Sequence, residues 1–187
     1  AHFIPSGMNV WEGRQERFDL TELRCYRELK DTKRLERSLG TLGGGNHFIE
    51  IDEATDGTKY LIIHSGSRNP GLKVAKFYQD EAYKAAGGRN QTEIAYELAP
   101  VTGKLFEDYI ADMKLMQEYA MHNRRIIAEE ILDNLKLKTE GSFTTVHNYI
   151  DTDEKILRKG AIAAHKGEKV LIPINMRDGS VLAIGRG

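Results

Sequence analysis

Residues 38–52, SLGTLGGGNHFIEID, constrain this chain more than any other stretch, because they pack a turn-forming loop, an imidazole and a strand into one short run. Gly40, Gly43, Gly44 and Gly45 open backbone angles closed to other residues and let main-chain N–H groups approach an anion. From His47 onward the residues alternate, so His47, Ile49 and Ile51 share one face of a strand and Asn46, Phe48 and Glu50 the other. His47 is therefore expected at the mouth of a strand, looking inward. A lone histidine in that setting reads as a hydrogen-bonded core residue. It becomes chemistry only in company.

Two further segments supply that company. A turn at Thr55-Asp56-Gly57-Thr58 leads into a strand over residues 59–64, where Tyr60, Ile62 and His64 line one side. A third strand is expected over residues 142–147, with Phe143, Thr145 and His147 on one face and Asn148 directly after. Three histidines, each closing an apolar strand beside Asn or Ser, point to a convergent imidazole cluster. Such a set suits zinc, manganese, iron or nickel and leaves coordination positions open for water or substrate. His2, His122 and His165 lack that setting. Between the second strand and the next helix, Ser65-Gly66-Ser67-Arg68-Asn69-Pro70-Gly71 reads as a loop able to hold a phosphate through N–H groups and the Arg68 guanidinium.

The remaining pattern is mixed. Residues 3–18 read as loop, and residues 19–37 as a helix capped by Asp19 with a charged, solvated outer face. An amphipathic helix over 72–86 closes at Gly87-Gly88, and residues 91–102 hold at most a helical turn stopped by Pro100. The longest periodic segment, residues 104–137, would be about 50 Å long, with Phe106, Tyr109, Met113, Met116, Ala120, Ile127 and Ile131 on its apolar stripe. Asn123 falls on that stripe and must be hydrogen-bonded there. Arg158-Lys159-Gly160-Ala161 reads as a basic turn. A strand over 169–172 stops at Pro173, a polar loop follows over 173–180, and strand resumes over 181–184. The fold class is α/β, of the mixed α+β kind, with the histidine-bearing strands packed against long helices.

A chain of 187 residues, 40% hydrophobic and 29% charged, can build a core and is not disordered. A formal net charge of −1 excludes a general polyanion coat, so a nucleic acid would have to be gripped locally. The single cysteine, Cys25, rules out an intrachain disulfide. With neither a secretory signal nor a membrane-length apolar run, the expected location is cytoplasmic. Residues 1–187 are read as one domain segment of a longer protein, since the chain opens on Ala1 and closes on a strand running into Gly185-Arg186-Gly187.

From Ser38 onward the sequence resembles the RtcB family of RNA-splicing ligases. The motif Leu39-Gly40-Thr41-Leu42-Gly43-Gly44-Gly45-Asn46-His47-Phe48-Ile49-Glu50 carries the likeness. Ile63-His64-Ser65-Gly66-Ser67-Arg68, His147-Asn148-Tyr149 and Arg158-Lys159-Gly160-Ala161 follow in the family's order. The resemblance implies two manganese ions and GTP in one cleft, and an enzyme that joins RNA 3′-phosphate or 2′,3′-cyclic phosphate ends to 5′-hydroxyl ends through a guanylated histidine. Carried over, His47, His64 and His147 are metal ligands. Asn46, His47, Phe48, Ile49, Glu50, His147 and Asn148, with Pro173, Ile174, Asn175, Met176 and Ser180, belong to the GTP site, and Arg68 to RNA or phosphate. Partners would be RNA, as tRNA halves or broken transcripts, and GTP. Many members have Gly-Ser where this chain has Ile174-Asn175. The family's upstream Asp and Cys ligands and its guanylated histidine have no counterpart here, so no catalytic nucleophile is assigned and the segment is expected to be inactive alone. The alternatives are a metal-dependent phosphoesterase that activates water, and a guanine-nucleotide or RNA binding module.

Overall fold

The computed structural model describes residues 3–88, 94–175 and 177–186. Contacts divide the chain into two units, one of Ala1–Phe48 with His64–Ile131 and the other of Ile49–Ile63 with Leu132–Gly187. Helices dominate the first and paired strands the second, in keeping with a mixed α/β class.

In the first unit Asp19 caps as expected, accepting the Thr21 N–H at 2.9 Å, but the helix it starts is only a 3-10 turn, Leu20–Glu22. A second such turn, Tyr26–Glu28, and the short helix α1, Thr32–Arg37, replace the continuous helix expected over 19–37. The cause lies far along the chain. The carboxylate of Asp112 accepts the Arg24 N–H at 2.7 Å and the Cys25 N–H at 3.1 Å, and the Tyr78 hydroxyl at 2.7 Å. Two backbone donors taken by a side chain cannot serve an i→i−4 ladder. Asp31, left-handed at φ 58°, then redirects the chain into α1.

Helix α2, Arg68–Ala85, begins four residues earlier than the pattern suggested, absorbing half of the expected phosphate loop. Pro70 falls in its first turn, where a missing N–H costs nothing. Helix α3, Gly103–Leu135, matches the long periodic segment. Its buried line, however, runs through Asp112, Met116, Tyr119, Asn123, Ile126 and Ile127, and Phe106 from the expected stripe is 40% exposed. Polar Asp112 and Asn123 and amphipathic Tyr119 are the inward positions because each has partners there, which an apolar tally cannot register. Val74 and Tyr78 of α2, Leu35 of α1 and Leu39 complete this core. Each such side chain contributes about 1.5–3 kcal/mol by leaving water.

Cys25 sits in that core, and burial, reinforced by Asp112, pushes its thiol up to about 12 from an ordinary 9.0. Its thiolate fraction at pH 8 should fall on the order of a thousandfold, so a disulfide reagent should react with native protein far more slowly than with urea-unfolded protein. The sign follows. A raised folded pKa means stability is retained below about pH 9 and declines as pH climbs toward 12, because only the unfolded thiol then ionises.

Strands β1, Phe48–Glu53, and β2, Lys59–His64, which belong to the second unit except for Phe48 and His64, pair through the expected turn. The Asp56 carboxylate accepts the Thr58 N–H at 2.9 Å, which holds its pKa below the usual carboxylate range, and Gly57 takes φ 84°. Ile51, expected inward, is 60% exposed. The strand expected over 142–147 does not form. Pairing begins at Asn148, opposite Lys159, and joins β3, Asn148–Asp151, to β4, Ile156–Lys159. Asn148 fixes that start by accepting the Gly160 N–H at 2.9 Å. The basic run 158–161 is therefore strand as far as Lys159, and His147 precedes a strand instead of closing one.

Strand β5, Lys169–Asn175, runs through Pro173, and β6, Gly179–Ile184, pairs with it around an irregularity between Pro173 and Asn175. Each strand of a two-stranded sheet is an edge, so proline's missing donor is tolerated. The polar loop expected over 173–180 shrinks to its tip. There Asn175 Oδ1 accepts the N–H groups of Arg177 and Asp178, each at 2.9 Å. Among the described residues no helix is long and apolar enough to cross a membrane.

Candidate functional site

The glycine loop is held from two sides. Outside it, the Leu42 N–H donates to Pro5 O at 2.9 Å, the Gly7 N–H to Gly43 O at 2.7 Å, and Trp11 Nε1 to Gly40 O at 3.1 Å. Behind it, Asn123 Oδ1 accepts the N–H groups of Gly40 at 2.8 Å and Thr41 at 3.1 Å. Its Nδ2 donates to Thr41 O at 3.1 Å and Ser65 Oγ at 2.9 Å. The buried asparagine is thus bonded, as its place on an apolar helix face required.

These restraints place the carbonyl of Leu42. It accepts Ser65 Oγ at 2.8 Å and lies 2.8 Å from His47 Nδ1, with Arg68 Nη1 more distant at 3.5 Å. A carbonyl oxygen can only accept, so His47 Nδ1 carries the hydrogen and, in the neutral ring, Nε2 carries the lone pair. An imidazole oriented by an Nδ1–H to carbonyl bond is in the state that metal ligation requires. The ring of His64 lies 5.8 Å from that of His47, centroid to centroid, and Phe48 packs edge-on against His64 at 5.1 Å. The pair fits a divalent cation by donor type and by the orientation of His47.

Arg68 faces the same loop. Its Nε donates to Thr41 Oγ1 at 2.8 Å and its Nη2 to Gly7 O at 3.0 Å. Partial burial among these neutral acceptors lowers its pKa from the ordinary 12.5. Gly43 makes this approach possible: at φ 94°, a Cβ there would overlap the Arg68 guanidinium and lie 2.6 Å from His47 Nδ1.

Of the other sequence candidates, Asn46 is exposed, and Ile49 and Glu50 are half-buried on β1. Ser180 Oγ approaches Glu50 Oε1 at 3.4 Å within the second unit. His147 and Asn148 belong to that unit, as do Pro173, Ile174 and Asn175, all three exposed. Met176 lies outside the described residues. Among the described residues no group of three or more His, Cys, Asp or Glu side chains is assembled to hold a metal ion. Sequence reasoning placed Ser65 in a phosphate loop and gave no role to Thr41, the Leu42 carbonyl or Gly7. Thr41 and Ser65 did leave a signal, since each is a small hydroxyl residue next to a glycine, and the structure buries both.

The model of the tRNA-splicing ligase RtcB family matches residues 13–187. The chain is 30% identical over 172 residues to RNA-splicing ligase RtcB of Escherichia coli (strain K12), covering 81% of this chain and 42% of that protein. It is 30% identical over 198 residues to tRNA-splicing ligase RtcB of Pyrobaculum aerophilum, covering 79% of this chain and 41% of the relative. A third relative, tRNA-splicing ligase RtcB of Archaeoglobus fulgidus, is 28% identical over 195 residues, with 79% and 40% covered. The matched part of the chain therefore spans about two fifths of the length of each.

Proposed function

Because the chain belongs to the RtcB family of tRNA-splicing ligases, we propose that it is a central segment of an RNA ligase that uses GTP and manganese. The reaction would join a 3′-phosphate or 2′,3′-cyclic phosphate end to a 5′-hydroxyl end. The observation that carries this reading is the oriented pair His47 and His64, set behind the glycine loop on which the family likeness is strongest. His47 through Nε2 and His64 would hold the cation, and His147 is proposed as a ligand on the family resemblance alone. What the cation supplies when bound is polarisation of phosphoryl oxygens and relief of charge as the 5′-oxygen attacks. The residues around it do the positioning. Leu42 O holds the His47 ring, and Arg68, with two of its five N–H groups bonded to the loop and a third to Gly7 O, keeps two for a phosphate oxygen. Asn46, Phe48, Ile49, Glu50, Asn148, Ser180 and residues 173–176 are proposed for the nucleotide, and the guanylated histidine is supplied from outside this segment.

The test is to incubate the full-length protein carrying this segment with manganese and GTP labelled in its α-phosphate. A covalent GMP adduct that disappears on His47→Ala is expected. Phosphate release from RNA ends with no adduct would replace the ligase by a phosphoesterase using the same imidazoles. Guanine-nucleotide binding with neither activity would leave only a binding module.

A further inference from the structure

We propose that Asn123 is the positioning residue that fixes the protonation pattern of the His47 ring. Asn123 is fully buried, and its side-chain bonds go to the segment that presents the Leu42 carbonyl and to Ser65, which shares that carbonyl. The direction of each bond is determined. Nδ2 can only donate, so Ser65 Oγ accepts from it and its own hydrogen goes to Leu42 O at 2.8 Å, the nearer acceptor, in preference to Thr41 O at 3.4 Å. Leu42 O thereby receives Ser65 and His47 as its two short bonds, at 2.8 Å each, with Arg68 Nη1 farther off at 3.5 Å. The His47 Nδ1–H is held against an acceptor that cannot swing away, because Asn123 grips the peptide groups on both sides of Thr41, one residue before it.

Thr41 and Gly40 would otherwise belong to a glycine-rich turn with several accessible backbone shapes. A turn that moved the Leu42 carbonyl would release the ring to donate through Nε2 instead, and that nitrogen would no longer offer a lone pair. This inference rests on the reading of His47 Nε2 as a ligand atom only for its consequence, not for its geometry. Arg124 follows on the same helix and donates from Nη1 to Ser65 O at 3.0 Å, so α3 holds the Ser65 end of the arrangement as well.

The experiment uses full-length protein carrying this segment, labelled with 15N-histidine, stripped of metal and held at about pH 8, above the imidazole range. Long-range proton–nitrogen correlation spectra should show His47 as a single Nδ1–H form. In Asn123→Ala the ring should become a mixture with a large Nε2–H share, and manganese affinity should fall about tenfold. Ser65→Ala, which opens little space and removes only the shared hydroxyl, should shift the ring in the same direction, and Ser65→Thr should restore the parent spectrum. Ile127→Val, a buried change on the same helix with no polar contact, should leave it unaltered. An unchanged Nδ1–H signal in folded Asn123→Ala or in Ser65→Ala overturns the proposal, as does an equal shift in Ile127→Val. Wild-type protein that takes up no manganese would instead sink the ligase reading, while the tautomer spectra would still decide the role of Asn123.

Discussion

Asp112→Ala should destabilise the helical unit by about 4 kcal/mol, a large share of what a domain of this size has. The carboxylate is buried and accepts from three donors, the Arg24 and Cys25 N–H groups and the Tyr78 hydroxyl. Each donor left unpaired in the interior costs about 1–3 kcal/mol, and water entering the space left by the side chain recovers part of that. Asp112→Asn separates the shape from the charge. Its carbonyl oxygen still receives Arg24, while its amide nitrogen meets the Cys25 N–H donor to donor, so about half of the loss should remain. Trp11, the single tryptophan, lies in the same unit and reports on it directly. Urea unfolding followed by its fluorescence gives the measurement. A loss below about 1 kcal/mol for the alanine variant would show that the two 3-10 turns hold their shape without the carboxylate.

Gly43→Ala should be the most damaging substitution for the site itself. Two effects combine there. A φ of 94° is strained for any residue with a side chain, by about 1–2 kcal/mol, and the added methyl would occupy space filled by the Arg68 guanidinium and the His47 ring. Arg68 would have to leave Thr41 Oγ1 and Gly7 O, and His47 its bond to Leu42 O. Gly45→Ala is the matched control, because Gly45 also has a positive φ, 74°, yet nothing lies within 4 Å of its Cβ position. The difference between the two variants isolates the contact from the backbone strain. Gly45→Ala should lose only the conformational part of stability and keep most GMP adduct formation. Gly43→Ala should lower adduct formation about a hundredfold or more, since a displacement near 1 Å at a reacting centre has that effect. Equal behaviour of the two would mean that the crowding around His47 has no functional weight.

What could be read in advance was local. Gly57 and Asp56 set the β1–β2 turn through their own backbone preferences, Asp19 capped the residues just after it, and the extent of α3 followed from its periodicity. Asn123 could be read as bonded because a polar group on an apolar stripe has no other stable state. The errors came from long-range partners. Residues 19–37 carry a helical pattern, but the donor that stops the helix, Arg24 N–H, answers to a carboxylate 88 residues away. The strand expected over 142–147 had alternation, but the ladder begins only at Asn148, opposite Lys159. Pro173 looked like a stop because proline breaks a central strand, and β5 is an edge. At the site, the glycine loop and His47 announced themselves by residue type. The oxygen that orients His47 belongs to the main chain of Leu42, and a backbone carbonyl leaves no trace in composition.

The amino-terminal stretch has almost no regular structure, yet Pro5 and Gly7 hydrogen-bond to the glycine loop through their backbones, Gly7 also receives Arg68, and Trp11 reaches the loop through its indole. All three lie before residue 13, where the match to the family model starts. Trimming the protein to the portion it shares with that model would thus strip the outer wall from the loop that faces His47. The start of the family-model match falls inside the support of this loop, and a protein cut there would lack the contacts from Pro5, Gly7 and Trp11.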